Sequence, residues 1–115
     1  MGLFDGLFGK SSTSMLQLRM SCFNIGTIAA TPNAVALCEA LGIAPIEFVK
    51  KHASGDFGVI DPDQRERNQR AISDARYPAV SAYPVGSSVV YVVTRQGDST
   101  TVMTATDYVF YANGR

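Results

Sequence analysis

The chain has 115 residues, ten Lys plus Arg against ten Asp plus Glu, 46% hydrophobic and 17% charged residues. That composition is of one ordinary globular domain, and it excludes a disordered chain and disfavours a strongly basic nucleic-acid binder. No apolar run approaches the roughly 18 residues that span a bilayer, so at most a weak contact with a membrane surface is expected.

The first ten residues repeat Gly-Leu-Phe, at 2–4 and 6–8. On a helix Leu3, Phe4, Leu7 and Phe8 would share one apolar face. The stretch lacks the basic start and long apolar centre of a secretory signal. Gly6 stands where a myristoylation signal needs Ser or Thr. With one acid and one base it is expected to be a docking arm, residues 1–14, seated on its own domain or on a second copy. The polar run Lys10 to Ser14 is the hinge, and residues 15–115 form the domain.

Phe23 to Ala30 reads as a strand with Phe23, Ile25 and Thr27 on one side. Thr31-Pro32 opens a helix, Thr as N-cap and Pro in the first turn, and Gly42 stops it. Pro45 opens a second helix with Ile46, Phe48 and Val49 inward, and with Lys50, Lys51 and His52 at the end that favours cations. Asp61-Pro62-Asp63-Gln64 opens a third, with Gln64 reaching back as in a capping box. Its inward residues are expected to be Ala71, Ile72 and Ala75, and its other side is polar.

From Tyr77 the period changes to that of strands. Ala79 to Tyr83, Ser88 to Thr94 and Ser99 to Ala105 read as three strands, joined by turns at Pro84-Val85-Gly86-Ser87 and Arg95-Gln96-Gly97-Asp98. Asp107, Tyr108, Phe110 and Tyr111 form an aromatic tail expected to pack on the sheet edge. The fold class is α+β: an antiparallel sheet of about four strands with two or three helices on one face, in the order β-α-α-α-β-β-β.

The segment Lys51-His52-Ala53-Ser54-Gly55-Asp56-Phe57-Gly58 holds the only histidine, with an aspartate four residues on. His52 is the one side chain whose ordinary titration lies near neutrality, and Asp56 could orient it as a catalytic pair. Gly55, Phe57, Asn68, Ser81, Tyr83, Arg95 and Thr100 are the candidate binding residues: hydroxyls from strands, an amide, and an arginine that could meet a phosphate. The same residues have a structural reading, in which His52 caps a helix end, Asp56 ties its own loop and Asn68 stitches the loop to the polar helix. Cys22 and Cys38 are expected to be free thiols, and their spacing with one histidine is not that of a zinc site. No phosphate loop, dinucleotide fingerprint or nucleophile elbow is present, so no cofactor and no metal are expected.

From about Phe23 to Tyr108 the chain resembles a family of small bacterial proteins called plasmid-related or mobile-element proteins. The landmarks are Gly26-Thr27-Ile28-Ala29-Ala30-Thr31-Pro32, His52-Ala53-Ser54-Gly55-Asp56-Phe57-Gly58, Asn68, Ser81-Ala82-Tyr83, Val90-Tyr91-Val92-Val93-Thr94 and Ser99-Thr100-Thr101-Val102. Arg95-Gln96-Gly97-Asp98 replaces a more acidic turn, and Phe57 and Tyr91 stand where tryptophans are expected. The family has no settled activity. The resemblance implies a bacterial cytoplasm and an accessory role on a transferable element. Two functions follow: an interaction module that binds itself or a host protein, such as a defence factor, and a metal-independent ribonuclease or phosphodiesterase with His52 as base. The neutral charge weighs against RNA as a partner.

Overall fold

The computed structural model describes residues 22–113. Four strands and four helices follow in the order β1 (Thr27–Ala30), α1 (Pro32–Leu41), α2 (Pro45–Ala53), α3 (Pro62–Ser73), β2 (Ala79–Val85), β3 (Ser88–Arg95), β4 (Ser99–Thr104) and α4 (Ala105–Asn113). The α+β class and the order of the first seven elements agree with the sequence reading. The arm containing Leu3, Phe4, Leu7 and Phe8 lies outside the described residues.

One sheet forms, with strand order β1-β4-β3-β2. Strands β2, β3 and β4 are an antiparallel meander. Strand β1 lies parallel to β4, Thr27 opposite Ser99 and Ala30 opposite Val102, so the sheet is mixed rather than wholly antiparallel. The three intervening helices return the chain to the end at which β1 began, so β2 runs as β1 does. Two hairpin reversals later β4 runs that way again.

The expected strand from Phe23 starts only at Thr27. Gly26 has φ +68°, and a Cβ there would sit 2.6 Å from the Asp98 carbonyl oxygen. The chain passes too close to the β3–β4 turn for continuous strand geometry.

Helix starts follow local chemistry. Thr31 accepts from the Ala34 N–H at 3.1 Å, and Asp61 from the Gln64 N–H at 2.7 Å, each before a Pro in the first turn. The Gln64 side chain does not close a capping box; it donates to Asn68 at 2.9 Å. Asn68 and Ala71 are the buried residues of α3, whereas Ile72 and Ala75, expected inward, are exposed. The helix lies along the β2 edge, where a polar residue has more to bond than an aliphatic one.

Two apolar clusters flank the sheet. The larger joins Phe23 and Ile25 to Ile46, Phe48 and Val49 of α2 and to Val90, Val92 and Val102 of the strands. The smaller, on the opposite face, is Val80, Val93 and Met103, with Tyr91, Tyr108 and Tyr111 packed against it. It is built by α4, which replaces the aromatic tail expected at the edge. The Thr104 hydroxyl accepts from the Asp107 N–H while the Asp107 carboxylate accepts from the Thr104 N–H, a reciprocal cap that starts a helix directly from β4. Tyr108 then stacks on Tyr91 with ring centres 4.2 Å apart. Among the described residues no single helix is long and apolar enough to cross a membrane.

Candidate functional site

The polar landmarks of the sequence meet in the interior. His52, in the last turn of α2, is wholly buried among Phe23 and Phe57. Its Nδ1 lies 2.6 Å from the Ser81 hydroxyl and its Nε2 2.8 Å from the Thr94 hydroxyl. Thr94 is 2.7 Å from Thr100, whose hydroxyl donates to the Ile25 carbonyl at 2.7 Å.

Each hydroxyl has one proton, so the directions are determined. Thr100 spends its proton on Ile25 and must accept from Thr94. Thr94 therefore accepts from His52, which places the imidazole proton on Nε2. Neutral Nδ1 then accepts from Ser81. The line runs Ser81, His52, Thr94, Thr100, Ile25, and joins three strands, one helix and the segment before β1. Burial pushes the His52 pKa down to about 3, so the ring is neutral throughout the physiological range.

Asp56 is not the partner of His52. It is exposed, and its carboxylate accepts from the Gly58 N–H at 3.2 Å. Its carbonyl accepts from the Tyr83 hydroxyl at 2.5 Å. Burial pushes the pKa of that phenol well above its ordinary value, mainly by desolvation. Gly55 belongs to the turn that ends α2, its N–H donating to the His52 carbonyl at 3.2 Å. Phe57 is a core residue. At Gly58 the backbone, at φ +72°, runs so close to β2 that a Cβ would fall 2.0 Å from the Ala82 oxygen.

Asn68 serves the same strand. Its side-chain amide donates to the Val80 carbonyl at 2.8 Å and accepts from the Val80 N–H at 3.0 Å. Two residues on, Ala82 donates to Phe57 at 3.0 Å and accepts from Val59 at 2.8 Å. Pro84 has no N–H. These are the outward-facing positions of β2, and between them an amide side chain, a loop and a proline seal the edge. The loop and Asn68 are thus joined by the strand they both cover.

Arg95 is placed apart from the other candidates, on the opposite face of the sheet. There α4 leaves a cleft of about 410 Å³ whose lining includes Val93, Arg95, Asp98, Thr101, Met103 and Phe110. A second cleft, of about 430 Å³, shares Arg95 and Tyr111 and continues past Gln96 to Arg76. Among the described residues Arg95 has no ion-pair partner. Phe110 is 73% exposed and Val109 54%, on a helix with no fully buried residue. Asp107 accepts from the Thr31 hydroxyl at 2.5 Å and from the Asn33 amide at 3.0 Å. Burial opposes its ionisation, but the bonds from Thr31, Thr104 and Asn33 prevail and hold the carboxyl below its ordinary value.

Sequence reasoning names Arg95 but does not bring it together with Phe110 and Tyr111 on one face. The signal was available in the alternation of β3 and β4, which places Tyr91, Val93 and Arg95, with Thr101 and Met103, on the side away from His52. Among the described residues no group of three or more His, Cys, Asp or Glu could hold a metal.

No family model, no curated protein and no solved structure matches the chain.

Functional chemistry therefore divides into two regions. The interior line can hold a proton in a fixed position but has no route to a solvent-borne substrate. The outer face offers a guanidinium with no ion-pair partner among the described residues, a carboxylate, hydroxyls and exposed apolar side chains around adjoining clefts, which is the equipment of a binding surface.

Proposed function

We propose that this chain is a cytoplasmic accessory protein of a bacterial mobile element and acts by binding, through the sheet face that carries α4, to a host protein or to a second copy. The observation that carries this reading is the division of polar residues. His52, Ser81, Thr94 and Thr100 are consumed by one another, while Phe110, Val109 and Arg95 are left to solvent. A soluble domain that exposes an aromatic and an aliphatic side chain beside a cleft has surface suited to a partner. The resemblance in the landmark segments supports the setting, and those same segments build the interior line and the sealed edge, so they account for the fold.

The test is association of the full chain with and without Val109→Asp and Phe110→Asp, read by sedimentation and by co-purification from a bacterial lysate. Both substitutions are at exposed positions, so the melting temperature should stay unchanged while association is lost. Association that survives both substitutions would sink this assignment of the face. Chelator-resistant cleavage of RNA by the wild-type chain, abolished in His52→Gln with the fold intact, would replace binding by the ribonuclease reading.

A further inference from the structure

We infer that the cleft between α4 and the strands β3 and β4 is a site for a free α-amino acid with an aromatic or long aliphatic side chain. Its carboxylate meets Arg95, its ammonium meets Asp98, and its side chain lies against Val93, Met103 and Phe110. The cleft is about 410 Å³, within the range of about 300–1,000 Å³ that small ligands occupy. Its floor is graded in polarity along the strands. The register sets Tyr91 opposite Met103, then Val93 opposite Thr101, then Arg95 opposite Ser99. Residues two apart share a face, so these pairs lie in one row under α4. The charged end lies about 7 Å along the strand from the Val93–Thr101 pair. An aromatic amino acid separates its carboxylate from the outer part of its ring by a comparable distance. Phe110 lines the cleft from α4 and is 73% exposed, so its ring has area left to bury.

The charges choose the ligand. Arg95 and Asp98 flank the β3–β4 turn and line the same cleft, yet no ion pair among the described residues joins them. The third charged group of the lining, Asp107, is already engaged: Thr31, Asn33 and the Thr104 N–H donate to its carboxylate. One guanidinium and one carboxylate are therefore left to a ligand. A simple carboxylic acid would satisfy Arg95 and leave Asp98 to lose water with no partner, and an amine would do the reverse. Inorganic phosphate would face two carboxylates with one arginine. A zwitterion satisfies both groups and adds no net charge. Two charged contacts and one apolar contact, made from one tetrahedral carbon, also select its hand. The site lies on the face proposed for a partner, but it is tested with no partner present, so the two readings fail separately.

The measurement is a nitrogen-15 NMR titration of the full chain with L-phenylalanine, followed at the amides of Arg95, Asp98, Thr101 and Phe110. Saturable shifts are expected at these amides, with a Kd of about 1 mM. Phenylpropanoate and phenylethylamine, each lacking one charge, and D-phenylalanine should all bind at least about tenfold more weakly. Arg95→Gln should lose a similar factor toward L-phenylalanine and leave phenylethylamine unchanged. Asp98→Asn should weaken L-phenylalanine likewise and leave phenylpropanoate unchanged. Both positions are exposed, and an unchanged circular dichroism melt verifies the fold. Should either variant melt early, the one-charge ligands on the wild-type chain decide. No saturable shift up to about 10 mM L-phenylalanine overturns the site. Binding of either one-charge ligand, of D-phenylalanine or of inorganic phosphate as tightly as L-phenylalanine overturns the two-charge seat. Saturable shifts confined to other parts of the chain overturn the assignment to this cleft.

Discussion

Lowering the pH from 7 to 5 should weaken the fold through His52 alone. In the unfolded chain its imidazole titrates at its ordinary value of 6.5, and in the folded chain burial pushes this down to about 3. Protons therefore bind the unfolded chain first, and stability is lost as the pH falls from about 6.5 toward about 3. With those two values the loss is about 2 kcal/mol between pH 7 and pH 5, and about 3 kcal/mol by pH 4. Asp74, held near 2 by its bonds to Arg76, and Asp107, also held low, remain ionised from pH 7 to 5 and contribute nothing to the difference. The assay is urea unfolding followed by far-UV circular dichroism at pH 7, 6 and 5, for wild type and for His52→Gln, which cannot titrate. The free-energy difference between the two proteins should shrink by about 2 kcal/mol across that range. Parallel curves would refute a buried neutral imidazole. A nitrogen-15 spectrum of the one histidine should also show the proton on Nε2; a proton on Nδ1 would break the directional chain from Ser81 to Ile25.

Two further substitutions test the sealed edge. Asn68→Ala leaves both backbone groups of Val80 without their partners and should cost about 3 kcal/mol in urea unfolding, while a loss under about 1 kcal/mol would show that the amide is replaceable there. Gly58→Ala should destabilise more than Gly86→Ala. Both glycines have positive φ, but a Cβ at Gly58 strikes the Ala82 oxygen, whereas at Gly86 nothing lies within 4 Å. The expected losses are about 3 kcal/mol and about 1 kcal/mol, and equal melting temperatures for the two variants would remove the clash from the account.

What the sequence disclosed was local chemistry. Thr31-Pro32 and Asp61-Pro62 announce helix starts because a cap and its target lie three residues apart. The partners of His52 lie 29 and 42 residues away, and nothing near position 52 specifies them, so Asp56 was the natural guess and the wrong neighbour. Asn68 stands out in the sequence as an amide beside the His52 loop, but its bonds to Val80 depend on a strand edge that comes into being only when the sheet forms. Ile72 misled because an aliphatic residue in a polar helix implies burial, whereas α3 meets the sheet along a line of backbone hydrogen-bonding groups. The last helix was hidden by its composition: Tyr108, Phe110 and Tyr111 suit strands as well as helices, and the decisive sign was the Thr104–Asp107 pair.

The unequal edges of the sheet set a limit on how copies can join. Edge β2 is occupied by Asn68, the Phe57–Val59 loop and Pro84, while no strand among the described residues pairs with the outer side of β1. Among the described residues one edge of the sheet is covered and one is open, so two copies can meet edge to edge across a twofold axis, and that contact then uses up the open edge of each. Fibre growth needs two complementary edges, and here β2 withholds one. Any lateral pairing of these sheets ends at two molecules, so the same residues that hold the fold together also act as a chain terminator for assembly.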